Sequence, residues 1–111
     1  MGIQKDSGEL LLFIYEKKTK GEEIPSRRQI ENKTGWNKDR VLNALQYLHG
    51  KNLIDGRQVK TLGTTKIKEF SINDITPNGI DVIENEKEFA KTFNFKINLG
   101  VFSYSWGVTE K

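Results

Sequence analysis

The chain has 111 residues, 35% hydrophobic and 30% charged, with a formal net charge of +3. That length suits one compact domain and is too short for two, and the periodic clustering of the apolar residues argues against disorder. Lack of cysteine excludes a disulfide scaffold and a thiolate zinc site, no apolar run reaches the roughly 18 residues of a membrane span, and the short apolar run near the start is too flanked by charge for a signal peptide.

In chain order, Asp6 or Ser7 can cap a first helix, and Asp6 with Glu9 has the spacing of a capping box. Leu10, Leu11, Ile14 and Lys18 share one stripe of that helix, with Phe13 at its edge. Lys17, Lys18 and Lys20 load its last turn, Gly21 is a C′ residue, and Pro25 blocks continuation. Ser26 with Gln29 makes a second capping box that opens a short helix over about 27–33, with Ile30 inward. Gly35 supplies a turn over Trp36. Asn37 then caps a third helix whose buried stripe is Val41, Ala44, Leu45 and Leu48. Residues 50–52 end it, and Leu53-Ile54 begin extended structure.

Two hairpin arms follow, at about 57–62 and 65–72, with the tip at Gly63-Thr64. Phe70 and Ile72 fall on one face with Lys66 and Lys68, and Ile67 falls on the other. Asn73-Asp74 breaks the strand. Thr76-Pro77 reads as N-cap and N1 of a fourth helix running to about Glu88. Asn78-Gly79 could instead form a hairpin turn, but Ile80, Val82 and Ile83 follow at helical spacing. From Phe93 to Val101 the residues alternate, with Phe93, Phe95, Ile97, Leu99 and Val101 on one face. After Gly100 the phase flips to Phe102, Tyr104 and Trp106, as a bulge or tight turn would produce.

The segment TGWNKDRVLNALQYLHGKNLI and the later ITPNGIDVIENE carry a family pattern. Over residues 10–88 the chain resembles winged-helix transcription regulators of the MarR, PadR and GntR type. The resemblance implies an α+β winged helix-turn-helix: three helices, a β-hairpin wing and a fourth helix. Here an extra C-terminal β segment would be added. One domain is expected over 1–111, with a core at about 7–90 and the extension at about 91–107.

The resemblance also implies double-stranded DNA as partner, with the third helix (37–50) in the major groove and the wing (57–72) on the backbone. Its exposed positions would be Asn37, Lys38, Asp39, Arg40, Leu42, Asn43, Gln46 and Tyr47. Arg40 can pair with guanine and Asn43 with adenine; the plainer reading is a solvated helix face. Arg27, Arg28, Lys33 and Lys38 gather near helix N-termini, a favourable setting for phosphate oxygens. Lys60, Lys66 and Lys68, with Arg57, Thr61, Thr64 and Thr65, decorate the wing, where lysines could equally protect a strand edge from aggregation. His49, the single histidine, has no partner of the kind a zinc site or triad needs. No catalytic, metal or cofactor constellation is legible.

The expected function is a small cytoplasmic transcription regulator, a homodimer through the fourth helix and the aromatic segment that ends in Trp106. The alternative is a winged-helix module for protein–protein contact without DNA. The aromatics from Phe93 onward could instead pack back on the domain.

Overall fold

The computed structural model describes residues 2–64 and 66–97. In chain order they form α1 (Ile3–Thr19), α2 (Arg27–Thr34), α3 (Lys38–Gly50), β1 (Ile54–Lys60), β2 (Ile67–Ile75), α4 (Pro77–Glu84) and α5 (Glu86–Phe93). The fold is α+β: five helices and one antiparallel hairpin among the described residues.

α1 is the central helix. The stripe expected on one face is instead burial all round, since the five residues Leu10 to Ile14 are all in the core. The reason is its position: α3, α4, α5 and β2 all pack on it, and a helix enclosed on every side is apolar on every side. It begins earlier than expected. Gly2 occupies the N-cap without a side-chain cap bond, so the Asp6–Glu9 capping box does not form and the Asp6 carboxylate is used elsewhere. Its end follows the sequence. Gly21 is left-handed at φ 71°, and the Gly21 and Glu22 N–H groups donate to the Lys18 and Lys17 carbonyls. That pair of bonds closes a Schellman motif, and glycine takes the positive φ without a Cβ penalty.

The next two helices start where their caps say. Ser26 and Gln29 make the reciprocal capping box of α2, and Asn37 Oδ1 accepts the Arg40 N–H at 2.9 Å to open α3. Ile30, Val41, Ala44, Leu45 and Leu48 are fully buried. Leu42, expected on the solvent face, is only 3% exposed. β2 packs along that flank of α3, which turns Leu42 from a surface residue into a core one.

The hairpin is longer at its base than the sequence suggested. β1 pairs with β2 from Ile54↔Ile75 to Lys60↔Ile67, with register shifts at Asp55/Gly56 and Val59/Lys60. The shifts leave Asn73 and Lys68 without a paired residue, so both are bulges. Asn73-Asp74 therefore bends the strand rather than breaking it. The bulge at Lys68 also resolves the imperfect alternation. An extra residue flips the phase, so Ile67 and Phe70, three apart, are both buried.

Thr76 caps α4 through the Gly79 N–H at 3.0 Å, with Pro77 at the first helical position. The hairpin-turn alternative at Asn78-Gly79 is thereby excluded. The helix stops at Glu84, short of Glu88, because Asn85 is extended (φ −114°, ψ 98°) and caps a separate α5 through the Glu88 N–H at 3.1 Å. The break reorients the chain so that Phe89 and Phe93, four residues apart, both enter the core. Phe93 thus ends a helix and does not begin a strand, and Asn94 follows it in the left-handed region at φ 64°. Phe95 stacks edge-on against Phe89 at 5.2 Å between centroids. Ile97 is half-buried against the core, and the rest of the expected segment, including Leu99, Val101, Phe102, Tyr104 and Trp106, lies outside the described residues.

Three contacts lock the base of the hairpin. The Thr76 N–H donates to the Leu53 carbonyl at 3.1 Å, and the Thr76 hydroxyl donates to the Asn52 carbonyl at 2.7 Å. Gly79 provides the third, because a Cβ there would collide with the Leu53 carbonyl and lie 2.8 Å from Ile75 Cγ1. Gly79→Ala should therefore cost about 1–3 kcal/mol by overpacking, although alanine is the better helix former. Urea denaturation checks this; an unchanged midpoint would mean that the close approach of α4 to Leu53 is wrong.

Candidate nucleic-acid interface

α3 and the hairpin meet at an open groove lined by Asp39, Leu42, Asn43, Gln46, Lys66 and Ile67. Asp39, Asn43 and Gln46 are at spacings of four and three along α3, so they form one strip beside the hairpin. Asp39 and Asn43 are exposed and Gln46 is half-buried, beside the buried Leu42 and Ile67. Gln46 was legible in the sequence only as one of eight exposed positions; the geometry makes it a groove residue.

Of the expected contact residues, Asn43 and Lys66 line this groove. Asn37, Lys38, Lys60, Thr64 and Lys68 are exposed elsewhere on α3 and the hairpin, Arg28 lines a separate pocket with Glu69 to Ile72, and Lys33 lines another with Phe13 and Lys17. Tyr47 is half-buried, with the Lys51 ammonium 5.5 Å from its ring centroid. The hairpin segment 56–68 carries Arg57, Lys60, Lys66 and Lys68 and no carboxylate. Its tip is a tight turn. The Thr64 N–H donates to the Thr61 carbonyl at 3.1 Å, and the Thr61 N–H donates to the Lys66 carbonyl at 3.0 Å. Thr65 lies outside the described residues.

Two of the twelve expected contact residues, Arg27 and Arg40, are engaged with carboxylates of this chain. Arg40, the first candidate for reading a base, is half-buried and donates from Nε and Nη2 to both Asp6 oxygens, at 2.8 and 3.0 Å. Its guanidinium also lies 4.3 Å from the Trp36 ring centroid. The Asp6 carboxylate raises its pKa further, so it is a fixed cation that ties α3 to the start of α1. Arg27, expected on phosphate, is 8% exposed. It is bonded to Glu31 on its own helix and to Glu69 on β2, the latter at 2.6 Å. Arg40 found a carboxylate 34 residues away, and Arg27 one 42 residues away besides its local i,i+4 partner Glu31; the distant partners are not legible in the sequence. A bidentate arginine–carboxylate pair is a strong anchor and holds the side chain in place.

The Arg27 guanidinium holds Glu69 well below the usual carboxylate range, down to about 2 from 4.5, with help from the Phe70 N–H and the nearby Lys38. A depressed carboxylate pKa stabilises the fold above the unfolded value and loses that contribution as pH falls through the folded one. Stability should thus decline between about pH 4.5 and 2. The decline should be modest, because the Glu69 side chain is 45% exposed and screened by solvent. Glu69→Gln should flatten this part of the profile when Tm is followed against pH; an unaltered acid slope would remove Glu69 from the account.

His49 is half-buried and meets Phe70 edge-on at 5.3 Å between centroids, as a packing residue under the hairpin. No described helix is long and apolar enough to cross a membrane. Comparison of the chain with protein-family models, with curated proteins and with solved structures found no match to any of them.

Proposed function

We propose that this chain is a winged-helix protein that binds double-stranded DNA, acting as a small transcription regulator. α2 and α3 form the helix-turn-helix, and α3 enters the major groove. The hairpin is the wing and holds the adjacent backbone. The observation that carries the reading is the groove itself. A polar strip of α3 (Asp39, Asn43, Gln46) runs beside the tip end of a hairpin whose residues 56–68 hold four cations and no carboxylate. Wing lysines suit phosphate oxygens, which supply most of the sequence-independent affinity. With Arg40 and Arg27 engaged internally, base reading falls to Asn43, which can pair bidentately with adenine, and to Gln46, which can do the same. Asp39 can accept from a cytosine amine. The reading includes a two-fold dimer through α4 and the aromatic segment ending in Trp106, with half-sites about one helical turn apart.

The test uses a sequence selected from a random duplex pool and a scrambled control. Asn43→Ala should weaken binding to the selected site by roughly 1–3 kcal/mol and leave the control unchanged. Lys66→Ala should weaken both alike. Equal losses for both variants on both duplexes would contradict this division of roles.

The second reading, a module for protein contact, is favoured by one observation. Leu62 at the hairpin tip is 98% exposed, and a protein partner covering it would take that apolar surface out of water. The same residue has a specific use under the first reading.

A further inference from the structure

Resting on the DNA-binding reading, we infer that Leu62 is an apolar wedge that enters the minor groove beside the site read by α3 and partly unstacks a base step there. Full burial of a leucine is worth roughly 1.5–3 kcal/mol relative to exposure, yet Leu62 stands 98% exposed. The turn beneath it is built to hold it out. Thr61 to Thr64 close with the backbone bond at 3.1 Å. Gly63, at φ +80°, takes the position where a type II turn demands a residue without Cβ strain. The Thr64 hydroxyl braces both sides: it donates to the Thr61 carbonyl at 3.3 Å and accepts the Lys66 N–H at 3.1 Å. Leu62 is therefore the projecting corner of a braced turn.

Its surroundings select the occupant. Lys60, Lys66 and Lys68 are all exposed around the tip, and no carboxylate falls between residues 56 and 68. A leucine collared by cations suits a narrow groove walled by phosphates, where apolar wedges inserted between base steps kink the duplex. Steps such as TA, which unstack most readily, would be preferred.

The full chain is titrated onto a series of otherwise identical duplexes in which 2-aminopurine replaces adenine at successive TA steps, with a dye pair at the duplex ends to report bending. Expected for the unmodified protein are a several-fold rise in 2-aminopurine fluorescence confined to one or two positions and an increase in energy transfer. Leu62→Ala, at an exposed position, should keep Tm and the salt slope of binding but lose both signals at saturation. Lys66→Ala should keep both signals at saturation and lower the salt slope. If Leu62→Ala gives the same fluorescence rise and bend as the unmodified chain, or the unmodified chain binds with neither signal, the wedge is wrong while DNA binding stands. If the unmodified chain does not bind these duplexes at low salt, the underlying reading fails with it. Vesicles containing anionic phospholipid are the control. Binding to them that Leu62→Ala abolishes, with DNA signals unaffected by the substitution, assigns the tip to a lipid surface and overturns the proposal.

Discussion

Phe89→Ala should destabilise the protein by about 3–5 kcal/mol, a large share of the 5–15 kcal/mol typical of a domain. Phe89 is fully buried, and its ring meets Phe93 at 4.8 Å and Phe95 at 5.2 Å between centroids. This aromatic group sits on α1, where Gly8 permits the approach: a Cβ at Gly8 would lie 2.7 Å from the Phe95 ring and 2.8 Å from Phe93. Removing the Phe89 ring thus opens a cavity between α1 and α5 that rigid neighbours fill poorly. Tm should fall by more than about 10 °C. Lys91→Ala, on the exposed side of α5, should stay within roughly 0.5 kcal/mol of the unmodified protein. A loss below about 1 kcal/mol for Phe89→Ala would mean that α5 is not docked as described.

The second large effect concerns the wing. Changing Lys60, Lys66 and Lys68 together to glutamine removes three exposed cations while leaving the strand core of Ile54, Ile67, Phe70 and Ile75 intact. If each lysine neutralises one phosphate, the slope of log K against log salt should become less steep by about 2.7, at roughly 0.9 per contact. Near 0.2 M salt the affinity should drop on the order of a hundredfold for any sequence. Fluorescence anisotropy at several salt concentrations measures both quantities. An unchanged slope would place the phosphate contacts elsewhere, with Arg28 and Lys33 on α2 the next exposed cations to test.

What was legible in the sequence was local. Ser26 with Gln29, Asn37, Thr76 with Pro77, Gly21 and Gly35 all act within four residues of themselves, and the structure uses each as its chemistry suggests. The α3 core stripe followed from periodicity. The failures share a different cause. Asn85 ends α4 and caps α5, although the apolar periodicity on either side fits one longer helix. Whether the chain continues or turns was decided by Phe89 and Phe93 docking on α1, a tertiary gain that no local pattern encodes. The alternation from Phe93 onward suited a strand equally well until that docking placed Phe93 in a helix. In the wing, the bulges at Lys68 and Asn73 hid the true inward face.

The candidate site divides in the same way. The exposure of Lys38, Asn43, Lys60 and Lys66 followed from their types and positions. Arg27 and Arg40 were named on type alone, and both proved to be held by carboxylates from other elements. Asp6 explains its own misreading. As a helix cap it would satisfy a backbone donor; instead it lies buried with Arg40, a stronger charge-assisted contact. Leu62 was hidden for the opposite reason, since an apolar residue beside a turn glycine gives no sign of whether it folds inward or stands out.

The central claim, that α3 and the wing form one DNA-binding surface, is tested most directly by NMR titration of labelled protein with a random-sequence duplex at low and moderate salt. Expected are shifts concentrated on Arg28, Lys33, Lys38, Asn43, Gln46, Lys60 and Lys66 that fade as salt is added, with Phe89 and Phe93 unmoved. Resonances in that groove that stay still at low salt would contradict the DNA reading and leave the protein-contact module in its place.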